Sequence, residues 1–236
     1  MNYLKSIFLK LSRIIYHLIP IEFKNERQIR LKRILYDNLA DETFNHFKEN
    51  IKSSLIFEST EAIREYAIKT SLLNDKECQN YYLEFGVYNG VSANFFSKYV
   101  NKLYVFDSFE GIREDFVGTP NAIGTMNLDK KIPKLNSNVI PNVGWVEDTL
   151  DIFLKKHNPK INFLHLDLDT YSPTKFTLEK VKPYLAKNAI IIFDELYNYF
   201  GWEHGEYKAL NEVFNNDEFE FKAFEINGCK VVIQIN

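Results

Sequence analysis

The stretch YYLEFGVYNGVSANFF at residues 81–96, followed by LYVFDSFEG at 103–111, constrains this chain more than any other. An apolar run ends in Glu84-Phe85-Gly86, turns through Asn89-Gly90 and passes Ser92 into a helical pattern. A second apolar run stops at Asp107, 21 residues after Gly86. That spacing predicts a strand–loop–helix–strand unit of a parallel α/β sheet. In such a unit glycines let backbone approach a ligand and the helix N-terminus faces the ligand's negative end. The carboxylate closing the second strand takes ribose hydroxyls, so the expected ligand contains adenosine.

The rest of the chain extends the pattern. Apolar strands are expected at 81–86, 103–106, 161–166 and 189–193, with a weaker one at 138–144. Helical stretches near 91–99, 148–156, 173–185 and 205–215 separate them. Short, fully apolar strands alternating with helices mark a parallel sheet covered on both faces. At the C-terminus FEFKAFEI and CKVVIQI flank Asn227-Gly228, a hairpin turn signal. The expected fold is α/β: a Rossmann-like, mostly parallel seven-stranded sheet with a C-terminal antiparallel hairpin and an N-terminal helical extension. The domain boundary is placed at 78/79, with residues 1–78 as the extension (a cap or an oligomerisation element) and 79–236 as the ligand-binding domain. Within the extension, a helix beginning near Ser59 would put Ile63, Tyr66, Ala67 and Thr70 on one face.

Composition narrows the class. A chain of 236 residues with 45% hydrophobic and 26% charged content is ordinary for one globular domain. A formal net charge of −3 gives no footprint for nucleic acid. Cys78 and Cys229 make neither a metal-ligand pair nor a disulfide framework, which points to the reducing cytoplasm. Residues 1–20 place Leu4, Ile7, Phe8, Leu11, Ile14, Ile15 and Leu18 at helical spacing, while Lys5, Lys10 and Arg13 interrupt every apolar run. That reads as an amphipathic helix packed on the domain or on a second copy in a homo-oligomer, with peripheral membrane contact as the alternative.

Two acid pairs stand out. Asp167-Leu168-Asp169 follows INFLHL, and Asp194-Glu195 follows AIIIF. Both leave the C-terminal ends of strands, where open α/β sheets bind ligands. Acids concentrated in one crevice repel unless a cation or an arginine compensates them. Oxygen donors without cysteine favour a hard cation, Mg²⁺ or Mn²⁺. The alternative is that these acids cap helices and line a solvated rim. His165 alternates inside an apolar strand and reads as a satisfied core histidine. The long loop at 111–138 has the length of a lid, and Arg113 in it is a candidate phosphate contact.

Five blocks, LEFGVYNGVSANF, YVFDSFEG, GWVEDTLDIF, FLHLDLDTYSPT and IIIFDELYN, occur in one order between residues 81 and about 214. In these the chain resembles class I S-adenosylmethionine-dependent methyltransferases, specifically the macrocin O-methyltransferase-like group, whose known members methylate sugar hydroxyls. The resemblance implies S-adenosylmethionine as cofactor and a divalent metal. It implies a cofactor site formed by Glu84, Gly86, Gly90 and Ser92, then Asp107, Ser108 and Phe109, then Gly144, Trp145 and Val146. It implies a metal held by Asp167, Asp194 and Glu195, and a general base that is Asp167 or Asp169. The family often has Asp or Asn where this chain has Glu195. Tyr197, Trp202 and His204 follow the last acid pair and, with Arg113, are candidates for the acceptor pocket. The acceptor would be a sugar, nucleotide-linked or in a glycan, in bacterial capsule, surface polysaccharide or natural-product biosynthesis. Catechol-type methylation, a nucleotide-sugar glycosyltransferase using Asp167-Leu168-Asp169, and a non-catalytic scaffold are the competing readings. A nicotinamide oxidoreductase is disfavoured because no G-x-G-x-x-G follows the first strand.

Overall fold

The structure is a computed structural model that describes residues 26–236. The amphipathic segment expected at 1–20 lies outside the described residues. The chain divides into two compact units, Met1–His46 and Phe47–Asn236. Residues 54–78 supply an edge strand and a covering helix to the sheet, so they belong to the ligand-binding unit. Helix α1 (Glu26–Ser53) runs across the dividing point.

The larger unit is built on an eight-stranded sheet, one strand more than expected. Its strands are β1 (Leu55–Phe57), β2 (Tyr81–Phe85), β3 (Leu103–Asp107), β4 (Val139–Val143), β5 (Ile161–Leu166), β6 (Leu185–Phe193), β7 (Phe219–Glu225) and β8 (Val231–Ile235). Their order is β1-β7-β8-β6-β5-β2-β3-β4. Only β8 runs antiparallel to its neighbours, β6 and β7. The additional strand is β1, which pairs in parallel with β7 through Leu55 and Ala223. All six residues of β5 are buried, as are Ala189 to Phe193 of β6, which is why both read as largely apolar runs.

Helices α2 (Thr60–Leu73), α3 (Val91–Phe96), α4 (Val146–His157), α5 (Tyr171–Val181) and α6 (Glu206–Val213) connect the strands. Ser59 caps α2, its side chain accepting from the Ala62 N–H at 3.3 Å. The buried face of α2 is Ile63, Ala67, Ile68 and Ser71, rotated slightly from the expected one, with Tyr66 and Thr70 half-buried.

One glycine fixes the geometry that matters here. β2 lies between β3 and β5, so the direction of winding reverses at its C-terminal end. Gly86, just past β2, has φ +85°, and a Cβ there would sit 1.6 Å from the Asp167 carbonyl oxygen. Only glycine lets the chain leaving β2 pass this close to the chain leaving β5. Two ligand-bearing loops thus start from one point.

Candidate active site

The loops after β2, β3, β4 and β5 line one cleft, whose walls include Gly86, Asp107, Gly144, Trp145, Asp167 and Asp169. Ser108 and Val146 also face it. This is the switch-point crevice where open α/β sheets bind ligands. Asp107 closes β3 and bridges the first two loops. Its Oδ2 accepts from the backbone N–H groups of Val87 (2.7 Å) and Tyr88 (2.8 Å), and its Oδ1 from that of Phe109 (2.7 Å).

Four residues expected at the cofactor, Glu84, Gly90, Ser92 and Phe109, are not among those lining this cleft. Glu84 is fully buried, and its Oε1 accepts from Ser92 Oγ and pairs with His165 Nδ1 at 3.1 Å. Ser92 is consumed by that contact. Phe109 is a buried core ring. Gly90 precedes α3 at φ +80° and packs toward Leu135. Arg113 lines the cleft, but its guanidinium lies 3.6 Å from the Trp145 ring centroid and 3.8 Å from Glu147. It stacks on the Trp145 ring at the cleft wall.

A second, smaller cavity adjoins the first. Its lining includes Glu114, Phe116, Tyr171, Tyr199 and His204, and Asp169 lines both spaces. The long loop closes this cavity by backbone contact. A Cβ on Gly118 (φ +84°) would meet the Phe200 carbonyl oxygen at 1.2 Å. Of the expected acceptor residues, His204 lines this cavity, and Tyr197 and Trp202 do not. Tyr197 is a core residue, its hydroxyl donating to the Glu225 carbonyl at 2.8 Å and its ring packed on Phe224. Trp202 is 2% exposed and packs on Phe47 and Tyr207. Both aromatics follow β6 in sequence, but both are buried in the core.

The acids at the ends of β5 and β6 divide into two environments. Asp194 is enclosed by cationic and donor groups: Arg64 Nη2 at 2.8 Å and His165 Nε2 at 3.2 Å on Oδ1, and Lys230 Nζ at 3.1 Å on Oδ2. Burial alone would raise its pKa, yet the His165 hydrogen bond and the Lys230 and Arg64 charges hold it well below the usual carboxylate range. His165 is buried between Asp194 and Glu84, and those two partners overcome its desolvation to raise it to about 9. It is a satisfied core histidine, as its alternation in β5 implied.

Asp167, Asp169, Glu195 and Glu206 have no such enclosure. Burial, then the Asp194 charge, raises Asp167 and Glu195 well above the usual range. Asp169 is raised to about 7 by burial, then by Asp194 and Asp107. Glu206 is fully buried, and burial raises it well above the usual range, with the neighbouring acids adding to the shift. Its Oε2 accepts from the Glu195 N–H at 3.0 Å, while its Oε1 and Glu195 Oε2 are buried without a hydrogen-bond partner. Oxygen-only donors of this kind, with orphaned carboxylate oxygens among them, fit a hard divalent cation.

Sequence reasoning missed Arg64, Lys230, Glu206 and Tyr199. Arg64 carried a faint signal, a charge next to Ile63 on the buried side of α2. Lys230 stands directly before β8, where nothing local points across the sheet.

Residues 83–196 match the family model described as a methyltransferase domain. No curated sequence matches the chain. Among solved structures it is similar to CalS11, a calicheamicin methyltransferase, at 22% identity and a TM-score of 0.61 over 74% of this chain and 77% of that one. The apo structure of CalS11, described as a TDP-rhamnose 3'-O-methyltransferase, gives 0.55 over the same shares. The O-methyltransferase NovP gives 18% identity and 0.53, covering 74% of this chain and 79% of NovP. The sheet order, its single reversed strand and the switch-point cleft have the methyltransferase fold. Residues 83–196 therefore carry a methyltransferase domain, in a chain with the methyltransferase fold.

Proposed function

We propose that this enzyme moves the methyl group of S-adenosylmethionine to a hydroxyl of a sugar, with a divalent cation at the acid cluster. The observation that carries the reading is Asp169, which lines both the cofactor cleft and the second cavity. A base at that junction stands between a donor on one side and an acceptor on the other.

The roles follow from position. Gly86 and Asp107 would hold the nucleoside, the Asp107 carboxylate accepting from ribose hydroxyls, and Trp145 under Arg113 would border the adenine. The sulfonium methyl is already electrophilic, so the protein must align a hydroxyl oxygen with it and remove the proton. The oxygen–carbon bond forms as the carbon–sulfur bond breaks, and the hydroxyl proton passes to Asp169. A carboxyl raised to about 7 is half ionised near neutral pH and is matched to that transfer. When bound, a Mg²⁺ or Mn²⁺ would lower the pKa of the hydroxyl and orient it. His204, Tyr171 and Tyr199 offer the polar and aromatic contacts that suit a sugar ring.

CalS11 acts on TDP-rhamnose and NovP is an O-methyltransferase, which supports an oxygen acceptor and a sugar. A nucleotide-linked sugar or a glycan in bacterial surface polysaccharide or natural-product biosynthesis is the setting we favour, in the cytoplasm. No described helix is long and apolar enough to cross a membrane. The test is incubation with S-adenosylmethionine and Mg²⁺ against a panel of nucleotide sugars and methyl glycosides. Release of S-adenosylhomocysteine with a singly methylated sugar supports the reading, and Asp169→Asn should lower kcat by about 10²–10⁴-fold. Turnover of catechols but of no sugar would reject the acceptor class.

A further inference from the structure

The acids that surround the acceptor position offer a cation two overlapping sets of ligands. His165, Asp167 and Asp194 can bring one atom each within 4.8 Å of one another, and so can Asp167, Asp169 and Glu195. The first set is already engaged. Both nitrogens of His165 are taken, by Glu84 and by Asp194. Both oxygens of Asp194 face cationic groups, Arg64 on one and Lys230 on the other. A cation entering there would have to displace two buried positive charges from their counter-ion, at a cost that mutual repulsion only increases.

The second set is open. Among the described residues, neither the Asp167 nor the Asp169 carboxylate makes a side-chain hydrogen bond. Glu195 Oε2 is buried and unpartnered. Next to it Glu206, itself 0% exposed, presents an unpartnered Oε1 into the same acidic surroundings and uses Oε2 to hold the Glu195 backbone N–H. Glu195 is longer than aspartate, so its reach toward Asp167 depends on how its backbone is set. Glu206 sets it.

We propose that the divalent cation binds on Asp167 and Glu195 with Asp169 at its edge, that Asp194 is a charge anchor rather than a ligand, and that Glu206 is the residue positioning Glu195. This rests on the metal-assisted reading above and departs from the ligand set that family resemblance implies, which includes Asp194. Two or three carboxylates with waters completing the shell are what Mg²⁺ and Mn²⁺ ordinarily take. The anchor has its own use. Arg64 comes from α2 and Lys230 from the residue before β8, so Asp194 ties the covering helix and the C-terminal hairpin to the end of β6.

The experiment is a calorimetric titration of Mn²⁺ into the full chain without cofactor, with thermal melts to establish folding. Asp167→Asn and Glu195→Gln should each weaken Mn²⁺ binding by about tenfold or more, and Asp194→Asn by less than about threefold. Glu206→Ala should weaken it by about tenfold, whereas Glu206→Gln, which keeps an oxygen to accept the Glu195 N–H, should restore most of the affinity. Loss of binding in Asp194→Asn with wild-type affinity in Glu195→Gln overturns the assignment while leaving metal dependence intact. If Asp194→Asn does not fold, Glu195→Gln decides alone: wild-type affinity there overturns the assignment. Absence of any Mn²⁺ binding by the wild type removes the metal-assisted reading and the assignment together.

Discussion

Arg64→Met is the sharpest probe of how the acid cluster is held together. The Arg64–Asp194 contact is 2.8 Å long, with side chains only 12% and 10% exposed. Methionine keeps most of the side-chain volume and removes the charge, so packing loss is small. Breaking a buried pair by removing one partner costs about 3–5 kcal/mol, chiefly because the surviving charge stays buried. Asp194 keeps Lys230 at 3.1 Å and His165 at 3.2 Å, which places the expected loss at the lower end, about 3 kcal/mol. For a chain of this size that corresponds to a fall in Tm of roughly 6–12 °C. Urea unfolding of wild type, Arg64→Met, Asp194→Asn and the double variant closes a cycle. A coupling energy of at least about 1.5 kcal/mol is expected for charges in direct contact. A loss below about 1 kcal/mol, or coupling near zero, would refute the view that Asp194 is committed to Arg64.

Three further outcomes follow from the same geometry. Gly86→Ala forces a Cβ to 1.6 Å from a backbone oxygen that no rotamer change can move, so it should destabilise by at least about 3 kcal/mol and abolish cofactor binding; a melt within a few degrees of wild type would contradict the close approach. Asp107→Ala removes a carboxylate accepting three backbone N–H groups and should weaken S-adenosylhomocysteine binding by roughly ten- to a hundredfold in calorimetry; unchanged affinity would remove Asp107 from the cofactor site. His165, raised from 6.5 to about 9, favours the folded state fully below pH 6.5, and that contribution fades as pH rises toward 9. Its size is about 3 kcal/mol, so urea midpoints measured without metal should fall between pH 6.5 and 9, and the fall should be smaller in His165→Gln.

The parts of this molecule that could be read from sequence are those whose cause is local. The strands of the parallel core announced themselves as apolar runs because both sheet faces are covered, and their ends were marked by Gly86, Asp107, Asp167 and Asp194. The hairpin followed from Asn227-Gly228 between two β-rich segments. β1 was not legible because three residues, Leu55 to Phe57, are too few to show a period and draw their order from pairing with β7. Tyr197 and Trp202 could not be placed from sequence, because an aromatic after a strand has no local mark of whether it faces a cavity or packs into the core, where both are buried. Asp194 is the instructive case. Its position at a strand end was plain, but Arg64 stands 130 residues before it and Lys230 at the head of another strand, and these partners decide what it can bind.

That division of labour explains how one crevice tolerates so many acids. Asp194, Glu84 and the three donors His165, Arg64 and Lys230 form a buried, nearly balanced layer beneath the floor of the site. Above it Asp167, Asp169, Glu195 and Glu206 are left with excess negative charge, expressed as carboxyl groups pushed upward by burial and by one another. Such a cluster costs folding energy as long as it is empty, and any cation it binds is stabilised by the same field. The lower layer supplies rigidity, and the upper layer keeps the unpaired oxygens that chemistry requires. Neutralising Asp194 should therefore register mainly in stability, whereas neutralising Glu195 should register mainly in cation affinity. Comparing those two readouts in the two variants separates anchor from ligand.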